Sequence, residues 1–471
     1  MRTKLTRRGF LGSSAAFLAA SGFGSVEALL GGRPDLKFGV LSDIHIGNRD
    51  STETFRKALR YFRDRGVDAV MICGDLANYG LLSQLKEVAN AWYDVFPDDT
   101  GADGRRVEKV FIYGNHDADG LGFYGNPGTA QFLMHSPGRT PREIQAEHIA
   151  SYGLAKAWEE CFREQYSPVY MKNVKGYWFV GGHWDTQAGV RGLGDFLREH
   201  GGKLRGEKPF FYCQHPHPRG TVYRYGFFTH DDGTTTRLLS RFPNAVAFSG
   251  HSHTTLTDER SVWRGDFTSI GCSTLTAHGA NVSRLYENLA PGRNQGRPSR
   301  QGMLVSVGGT RMVIERRDFF FDEMLDEAWV LELPKREGWS FKARAERSER
   351  PEFAAGAFVE VFYPEKAGTD GTLRFPAALA NPKARPFDYG VTIEHRFGDD
   401  DVSLHRYRMN GPTAHLPKAH DADVPLVQSV LPGRYMPLYD VGDYRITVEA
   451  RNSLGGAGKP ITTGWVRIPK E

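Results

Sequence analysis

Val110-Phe111-Ile112-Tyr113-Gly114-Asn115-His116-Asp117 is a short apolar run that ends in a polar cluster. Four consecutive apolar residues bounded by turn-forming residues are typical of a buried strand. Gly-Asn-His-Asp is an uncommon ending for such a strand. Its side chains can bind metals, stabilise charge or transfer protons. The stretch therefore predicts a strand whose carboxyl end contributes to a functional site.

The same arrangement recurs at four other places along the chain. Polar clusters follow apolar strands at Asp43-Ile44-His45, at Gly74-Asp75, at His215 and at Gly250-His251-Ser252-His253. Helical spacing appears between the first strands, as in Phe55, Ala58, Leu59 and Phe62. Strands that alternate with helices predict βαβ units and a largely parallel sheet, whose ligands bind beyond the carboxyl ends of the strands. The five clusters are therefore expected at one sheet edge.

These side chains have the chemistry of a two-metal site. Carboxylate, amide and imidazole ligands suit Zn, Mn, Fe or Ni, and a shared carboxylate can hold two ions about 3.5–4 Å apart. Asp-x-His and His-x-His place both side chains on one side of an extended segment. The four cysteines include no CxxC pair, and Cys73 and Cys213 end apolar runs, so we interpret these two as buried hydrophobic residues.

With these motifs, the chain resembles the calcineurin-like metallophosphoesterase family over about residues 36–320. The resemblance implies a four-layer α/β/β/α sandwich with a binuclear centre of Mn, Fe or Zn, in which an activated water attacks phosphorus. It implies that Asp75 bridges the two ions. The first ion would be held by Asp43, His45 and His253, and the second by Asn115, His215 and His251.

The resemblance also assigns a catalytic role next to the metal ligands. His116 would contact the scissile phosphate and stabilise its charge or protonate the leaving oxygen. Asp117 is expected either to orient that imidazole or to be a solvated carboxylate in a turn. Residues His183, Asp185, His217, Arg219, Tyr223 and Arg224 are further candidates for the rim of the site, with structural or solvated roles as the alternatives.

Departures from family subtypes bear on the substrate. Asp43-Ile44-His45 and the position of Tyr79, four residues after Asp75, differ from the pattern of purple acid phosphatases, so no tyrosinate ligand is expected. Asp117 stands where secreted nucleotidases usually have Glu. The pattern is closer to phosphodiesterase-type members. An insertion at about 118–165 leaves phosphodiesterase and phosphomonoesterase activity both open.

The C-terminal part of the chain has a different pattern. After about residue 320, strand-like runs follow one another without helices and are separated by Pro and Gly, which predicts an all-β region. The segment from Tyr444 to Gly455 resembles the penultimate strand and turn of a fibronectin type III or immunoglobulin-like sandwich. We predict a signal segment at 1–32, a phosphoesterase domain at 33–320 and a β-sandwich at 321–471.

The N-terminus has the pattern of an export signal. Thr6-Arg7-Arg8-Gly9-Phe10-Leu11 opens an uncharged stretch of apolar and small residues, and it resembles a twin-arginine signal, which exports folded proteins. Cleavage is expected near Val26-Glu27-Ala28, and the protein is expected in the periplasm or outside the cell. A basic tail and an uncleaved membrane anchor are the alternatives.

Composition limits the remaining function classes. The 471 residues are 40% hydrophobic and 25% charged, which is typical of globular proteins. Residues 1–28 carry a net +3 of the total charge of +4, so the rest of the chain is near neutral and nucleic acid is not an expected partner. We predict a small-molecule or nucleotide phosphoester as substrate and no stable membrane span. The alternative is a secreted binding or adhesion protein that uses the phosphoesterase fold as a scaffold.

Overall fold

The structure is a computed structural model that describes residues 25–468 except 48–49, 125–137, 186–188, 224–229, 277–298, 380, 382, 399–400 and 440. The twin-arginine motif therefore lies outside the described residues. Residues 26–30 form a short helix, α1 (Val26–Leu30), whose first turn is capped by the Ser25 hydroxyl. Within the described part of the chain, no helix has the length and apolar character needed to cross a membrane.

Two β-sheets and several helices form the first part of the molecule. The strands are β1 (Leu36–Leu41), β2 (Ala69–Ile72), β3 (Glu108–Phe111), β4 (Val169–Val174), β5 (Tyr177–Gly182), β6 (Trp184–Asp185), β7 (Gly189–Val190), β8 (Phe210–Cys213), β9 (Ala245–Ser249), β10 (Val262–Arg264), β11 (Thr268–Gly271), β12 (Gln301–Gly308), β13 (Arg311–Asp318), β14 (Glu323–Met324) and β15 (Trp329–Glu332). The helices are α2 (Ser51–Asp64), α3 (Leu82–Val95), α4 (Asn115–Tyr124), α5 (Pro141–Glu147), α6 (Ile149–Tyr152), α7 (Leu154–Phe162), α8 (Leu193–Leu204) and α9 (Thr234–Leu239).

The first sheet has the order β14-β13-β12-β1-β2-β3, with β15 paired to β13. Strands β1, β2 and β3 are parallel, and β12 runs antiparallel to β1. The second sheet has the order β10-β11-β9-β8-β5-β4, with β5, β8, β9 and β11 parallel. Parallel strands end at the same edge, so the loops after β1, β2 and β3 lie together, as do those after β8 and β9.

The two sheets pack face to face and carry helices on their outer faces. Phe38 of β1 contacts three rings of the second sheet, with centroid distances of 5.1 Å to Phe179, 4.7 Å to Phe211 and 5.8 Å to Phe248. One hydrophobic cluster lies between the sheets, a second under α2, α3 and α7, and a third under α8 and α9. The predicted α/β/β/α sandwich is therefore confirmed.

The predicted insertion folds as helices α5, α6 and α7 in the described part of 118–165. Ile149, Trp158 and Phe162 belong to the hydrophobic cluster of the first helical layer, and Ile144 packs with Tyr79 and Leu81. His148, at the start of α6, pairs with Leu81 of the loop after β2. The insertion therefore packs onto the loop that follows Asp75.

The C-terminal region contains the strands β16 (Glu360–Phe362), β17 (Gly371–Pro376), β18 (Asp388–Phe397), β19 (Asp401–Asn410), β20 (Leu426–Leu431), β21 (Asp443–Arg451) and β22 (Ile461–Thr462), preceded by helix α10 (Phe341–Arg347). They form two antiparallel sheets, β16-β17-β20 and β19-β18-β21-β22, around one hydrophobic cluster. The all-β prediction is confirmed. The Tyr444 hydroxyl donates to the carbonyl of Leu438 at 2.7 Å, an arrangement typical of immunoglobulin-like sandwiches, whereas the subtype stays a prediction.

One predicted strand lies in the other half of the molecule. Residues 330–333 were expected in the β-sandwich, but β15 pairs antiparallel with β13 and so extends the first sheet. The reason is that Trp329, Leu331 and Leu333 are buried in the cluster between the two large sheets. Hydrogen bonds then join the halves, including Gln301 Nε2 to the His415 carbonyl at 2.8 Å and Lys418 N to the Leu325 carbonyl at 2.9 Å.

Candidate metal centre and active site

The five polar clusters meet at one edge of the two large sheets. Asp75 Oδ2 lies 3.6 Å from His45 Nε2, 3.1 Å from His215 Nε2 and 3.9 Å from His116 Nε2. On one side of this centre, His253 Nε2 lies 2.9 Å from Asp43 Oδ1. On the other side, His251 Nδ1 lies 3.1 Å from His215 Nε2. Residues far apart in sequence are thus brought within ligand distance of common points.

Three overlapping groups of donors arise from this geometry, each with its ligand atoms within 4.8 Å of one another. They are Asp43, His45 and His253; His45, Asp75 and His116; and Asp75, His215 and His251. Asp75 belongs to two of the groups and lies between the outer pairs. This is the arrangement expected of a carboxylate shared by two cations.

Asn115 gives an independent test of whether metals fit. Its side chain is 3% exposed, and neither Oδ1 nor Nδ2 has a hydrogen-bond partner among the described residues. His45 Nδ1 is likewise unpaired in the described part of the chain. Buried polar atoms are rarely left unsatisfied, and Asn oxygen beside His and Asp donors suits Mn, Fe or Zn. The residues therefore fit two metal ions, of which the identity is open.

The backbone at the donors is strained. Asp43, His45, Asp75, His251 and His253 all have positive φ, between 49° and 67°. This left-handed region is unfavourable for residues with a Cβ, and such strain concentrates at functional sites. The strained turns direct side chains from the strand ends toward a common centre.

Glycines next to the ligands allow a close approach of the loops. A Cβ on Gly114 would lie 2.2 Å from Asp75 Oδ1, and a Cβ on Gly250 would lie 2.2 Å from Asp43 Oδ2. Both distances are too short for any side chain. Glycine at these two positions therefore allows the close approach of the backbone to the neighbouring carboxylate.

The comparisons with known proteins agree with this geometry. Residues 36–255 match the family described as calcineurin-like phosphoesterase. These residues form a calcineurin-like phosphoesterase domain. Together with the intact donor set, the match makes the chain a metal-dependent phosphoesterase.

Several solved structures are similar to the phosphoesterase domain at low identity. A dimetal phosphatase from Danio rerio is 12% identical, with a TM-score of 0.36, 64% of this chain covered and 99% of that one. A purple acid phosphatase from yellow lupin seeds is 13% identical, with a TM-score of 0.40 and coverages of 64% and 55%. GAP50 of Plasmodium is 13% identical, with a TM-score of 0.36 and coverages of 63% and 88%. No curated protein matches the chain.

Charges within the phosphoesterase site influence one another strongly. Burial alone would raise the pKa of Asp75, but the imidazoles of His215, His116 and His45 lower it below its usual value. Burial lowers the pKa of His215, yet the carboxylates of Asp75 and Asp43 raise it to about 9. Asp75 is therefore held as a carboxylate, the form that binds cations.

His116 lies at the open side of the donors. Its side chain is 16% exposed, whereas that of Asp75 is 1% exposed. His116 Nδ1 lies 2.8 Å from the carbonyl oxygen of Asn78, which fixes the proton on Nδ1 and turns Nε2 toward the donor cluster. The ring packs edge-on to His45, at 4.5 Å between centroids. The imidazole is thus oriented and accessible to a substrate.

Asp117 does not have the geometry predicted for it. Its oxygens accept backbone N–H groups from Leu76 at 3.1 Å, from Ala77 at 2.7 Å and from Gly114 at 2.8 Å. The residue is fully buried, which excludes the solvated turn, and the carbonyl of Asn78 rather than this carboxylate orients the His116 ring. Burial and the negative charge of Asp75 raise the pKa of Asp117 to about 7. Asp117 joins the loops after β2 and β3.

Sequence reasoning missed several residues that position the ligands. The Ser42 hydroxyl donates to Asp43 Oδ2 at 2.5 Å, and Thr274 Oγ1 donates to the Asp43 carbonyl at 3.0 Å. Asn78 acts through its backbone carbonyl, so its side chain carries no signal. Ser42 directly precedes the first motif and was the one detectable candidate.

Most of the expected rim residues have structural roles. His217 is buried and lies between Ser249 Oγ at 2.7 Å and Ser252 Oγ at 2.8 Å, behind the loop that carries His251 and His253. His183 is buried and accepts from the Tyr113 N–H at 3.0 Å, while Asp185 pairs with Arg191.

The remaining candidates also lie away from the donors or outside the described residues. The Tyr223 hydroxyl is buried against Ser261, and Arg219 is exposed. Tyr79 packs with Leu81 and Ile144. Arg224 lies outside the described residues.

Proposed function

We propose that this protein is an exported two-metal phosphoester hydrolase whose seven ligands are those predicted from the sequence. The observation that carries the proposal is the position of Asp75 Oδ2, within 4 Å of imidazole nitrogens from three separate loops. In this proposal the carboxylate of Asp75 would contribute to both ions. Asp43, His45 and His253 would hold one ion, and Asn115, His215 and His251 would hold the other.

In the proposed chemistry, the ions and the side chains have different roles. When bound, the ions neutralise phosphate oxygens and lower the pKa of a water that attacks phosphorus. The chain supplies the orientation, because Ser42 and Thr274 hold Asp43 in place and Asp117 joins the loops that carry Asp75 and Asn115. These contacts would hold the ligands in place before substrate binds, which is the preorganisation that favours catalysis.

His116 is the proposed acid of the reaction. Asn78 accepts from Nδ1, so Nε2 is the nitrogen that faces the bound phosphoester. When protonated, Nε2 donates to a phosphate oxygen or protonates the leaving oxygen. Its side chain is 16% exposed and that of the proposed ligand His253 is 15% exposed, so the proposed role of His116 rests on the orientation of its ring and not on exposure.

The substrate class is proposed as a small or nucleotide phosphoester, hydrolysed as a diester or a monoester. The burial of Tyr79 beneath the insertion supports a site without a tyrosinate ligand. Export by the twin-arginine route is part of the proposal, because a folded domain can acquire its metals before it leaves the cytoplasm. Replacing Arg7 and Arg8 by Lys should abolish export, and normal export of that variant would contradict this route.

An assay of the full chain with added Mn, Zn or Fe tests the enzymatic proposal. The substrates are para-nitrophenyl phosphate and bis-para-nitrophenyl phosphate, and the variants are Asn115→Ala and its matched control Asn173→Ala, at an exposed position of β4. We expect metal-dependent turnover that Asn115→Ala abolishes and Asn173→Ala retains. The ratio of the two rates then gives the ester preference. A wild-type chain that binds no metal and turns over neither substrate would favour the binding-protein alternative.

A further inference from the structure

A second polar cavity lies at the opposite edge of the two large sheets. Its volume is about 220 Å³, and its cationic lining residues are Arg264, Arg311 and Lys335. Arg264 ends β10 and pairs with Thr268 at the start of β11, whereas the far end of β11 leads to the metal-site loops. At about 3.3 Å per strand residue, the cavity is on the order of 10 Å or more from the metal donors.

Arg264 is the unusual residue of this cavity. It is 5% exposed, and its Nη2 donates to the Glu332 carbonyl at 2.7 Å. Its Nε and Nη1 are shielded from solvent and have no hydrogen-bond partner among the described residues. An arginine side chain stays charged in proteins, and a buried charge without a partner is strongly unfavourable. The described residues therefore provide no anionic partner for the Arg264 side chain.

One further cation, Arg336, and the carboxylate of Glu332 both influence the charge of Arg264. Burial and the neighbouring charge of Arg336 lower the pKa of Arg264 to about 10. Glu332 and Glu337 also line the cavity, but both are exposed, and the Glu332 carboxylate is 3.9 Å from Lys335. Neither carboxylate forms an ion pair with Arg264 in the described structure. Arg264 thus has no carboxylate partner among the described residues.

We propose that this cavity binds a small oxyanion, either free phosphate or the phosphoryl group of a larger molecule. Guanidinium and ammonium groups form strong, charge-assisted hydrogen bonds with such anions. The volume corresponds to about seven water molecules at ~30 Å³ each, enough for one phosphate and part of its hydration. The Trp339 ring lies over the guanidinium of Arg264 at 5.0 Å, and an anion that contacts the buried Nε and Nη1 would have to displace it.

A calorimetric titration of the metal-loaded full chain with inorganic phosphate tests the proposal. The wild type should bind two phosphates, one at the metals and one in the cavity. Arg311→Ala combined with Lys335→Ala removes two exposed cations without disturbing the core. This double variant should weaken phosphate binding in the cavity by about tenfold or more and leave binding at the metals unchanged. Arg198→Ala, which removes an arginine that is 77% exposed on α8, should change neither site.

Two further measurements locate the site and identify the form of the ligand. Tryptophan emission should change with phosphate in the wild type, and that change should be absent in Trp339→Phe. Methylphosphonate that binds as tightly as phosphate indicates a phosphoryl group, and binding of phosphate alone indicates the free ion.

Two results would overturn the proposal. One is a single phosphate in the wild type that Asn115→Ala eliminates, because all binding would then be at the metals. The other is two sites that the double variant leaves unchanged. Neither result bears on the hydrolase activity, which is measured separately.

Discussion

The strand-end loops of the phosphoesterase domain and the strands of the C-terminal sandwich arrange their charges in different ways. In the loops, Asp43, Asp75 and several imidazoles crowd around common points, and five of the candidate ligands have positive φ. In the sandwich, charges form separate pairs across neighbouring strands, such as Arg445 with Glu394 at 2.7 Å and Arg451 with Asp388 at 2.9 Å. No described non-glycine residue after Asp322 has positive φ.

This difference indicates that the strand-end loops are locally less stable than the sandwich because their side chains are arranged for function. Left-handed conformations and crowded donors are each unfavourable by themselves, and they persist because surrounding structure and bound cations stabilise them. The charges of Arg445 and Arg451 in the sandwich are paired within the protein and need no ligand. Substitutions should therefore affect activity in the first region and, at most, stability in the second.

The largest effect is expected for the shared carboxylate. Asp75→Asn removes the charge that lies between the donor groups and should lower turnover by about three orders of magnitude. Bound metal, measured by mass spectrometry of the desalted protein, should fall below that of the wild type. Asp195→Asn, at a carboxylate that is 80% exposed on α8, is the matched control and should retain both properties. Full metal content and turnover in Asp75→Asn would contradict the view that the charges of the strand-end loops, unlike those of the sandwich, serve the activity.

A steric substitution tests the close approach of the loops. Gly114→Ala places a Cβ 2.2 Å from Asp75 Oδ1, so the carboxylate must move and turnover should fall by about 100-fold. Gly202→Ala in α8, where a Cβ meets no atom within 4 Å, is the control and should leave activity unchanged. Steady-state kinetics of both variants measure the effect. Equal activity of the two variants would show that the loops tolerate a shift.

Asp117 and His116 are neighbours with separable roles. Asp117→Ala leaves three buried N–H groups without an acceptor and should lower the free energy of unfolding by about 3 kcal/mol. His116→Ala should lower turnover while changing that free energy by less than about 0.5 kcal/mol. Denaturant unfolding and kinetics of both variants measure the two properties. A stable but inactive Asp117→Ala would restore the role first expected for it.

Two buried histidines make stability dependent on pH. Burial lowers the pKa of His183 to about 3 and that of His148 to about 4, from about 6.5 in the unfolded chain. The unfolded state therefore binds more protons below pH 6.5, and stability falls as pH decreases from 6.5 toward these values. Each histidine contributes up to about 1.4 kcal/mol per pH unit. Between pH 7 and pH 5, the free energy of unfolding should fall less in His183→Gln than in the wild type. Equal decreases in the two proteins would contradict the proposed role of His183 in this pH dependence.

The smallest effect is expected in the sandwich. Arg445→Ala breaks the pair with Glu394, but Arg445 is 36% exposed, so solvent screens the interaction. The free energy of unfolding should fall by no more than about 1 kcal/mol, with turnover and metal content unchanged. Thermal unfolding measures the stability of the variant, and the phosphatase assay measures its turnover. A large loss of activity would show that the sandwich influences the site more than the present contacts indicate.

The sequence by itself determined the architecture and the donors of the site. Apolar strands alternating with amphipathic helices predict a layered α/β domain. The side chains that follow the strands can bind metals because of their own chemistry, whatever their final position in the fold. Helix α2 buries Phe55, Ala58, Leu59 and Phe62 as their spacing predicts. These properties follow from local periodicity and residue chemistry, which do not depend on the rest of the fold.

Only the tertiary structure decided the role of Asp117, the sheet to which β15 belongs, and the orientation of the His116 ring. Asp117 binds amides that lie about 40 residues earlier in the chain, and β15 joins β13 because its apolar side chains fit between the large sheets. Arg264 is an ordinary polar residue in the sequence, and its burial without an anion results from the packing of β10 against β15 and Trp339. Such contacts depend on which strands meet, which no local pattern specifies.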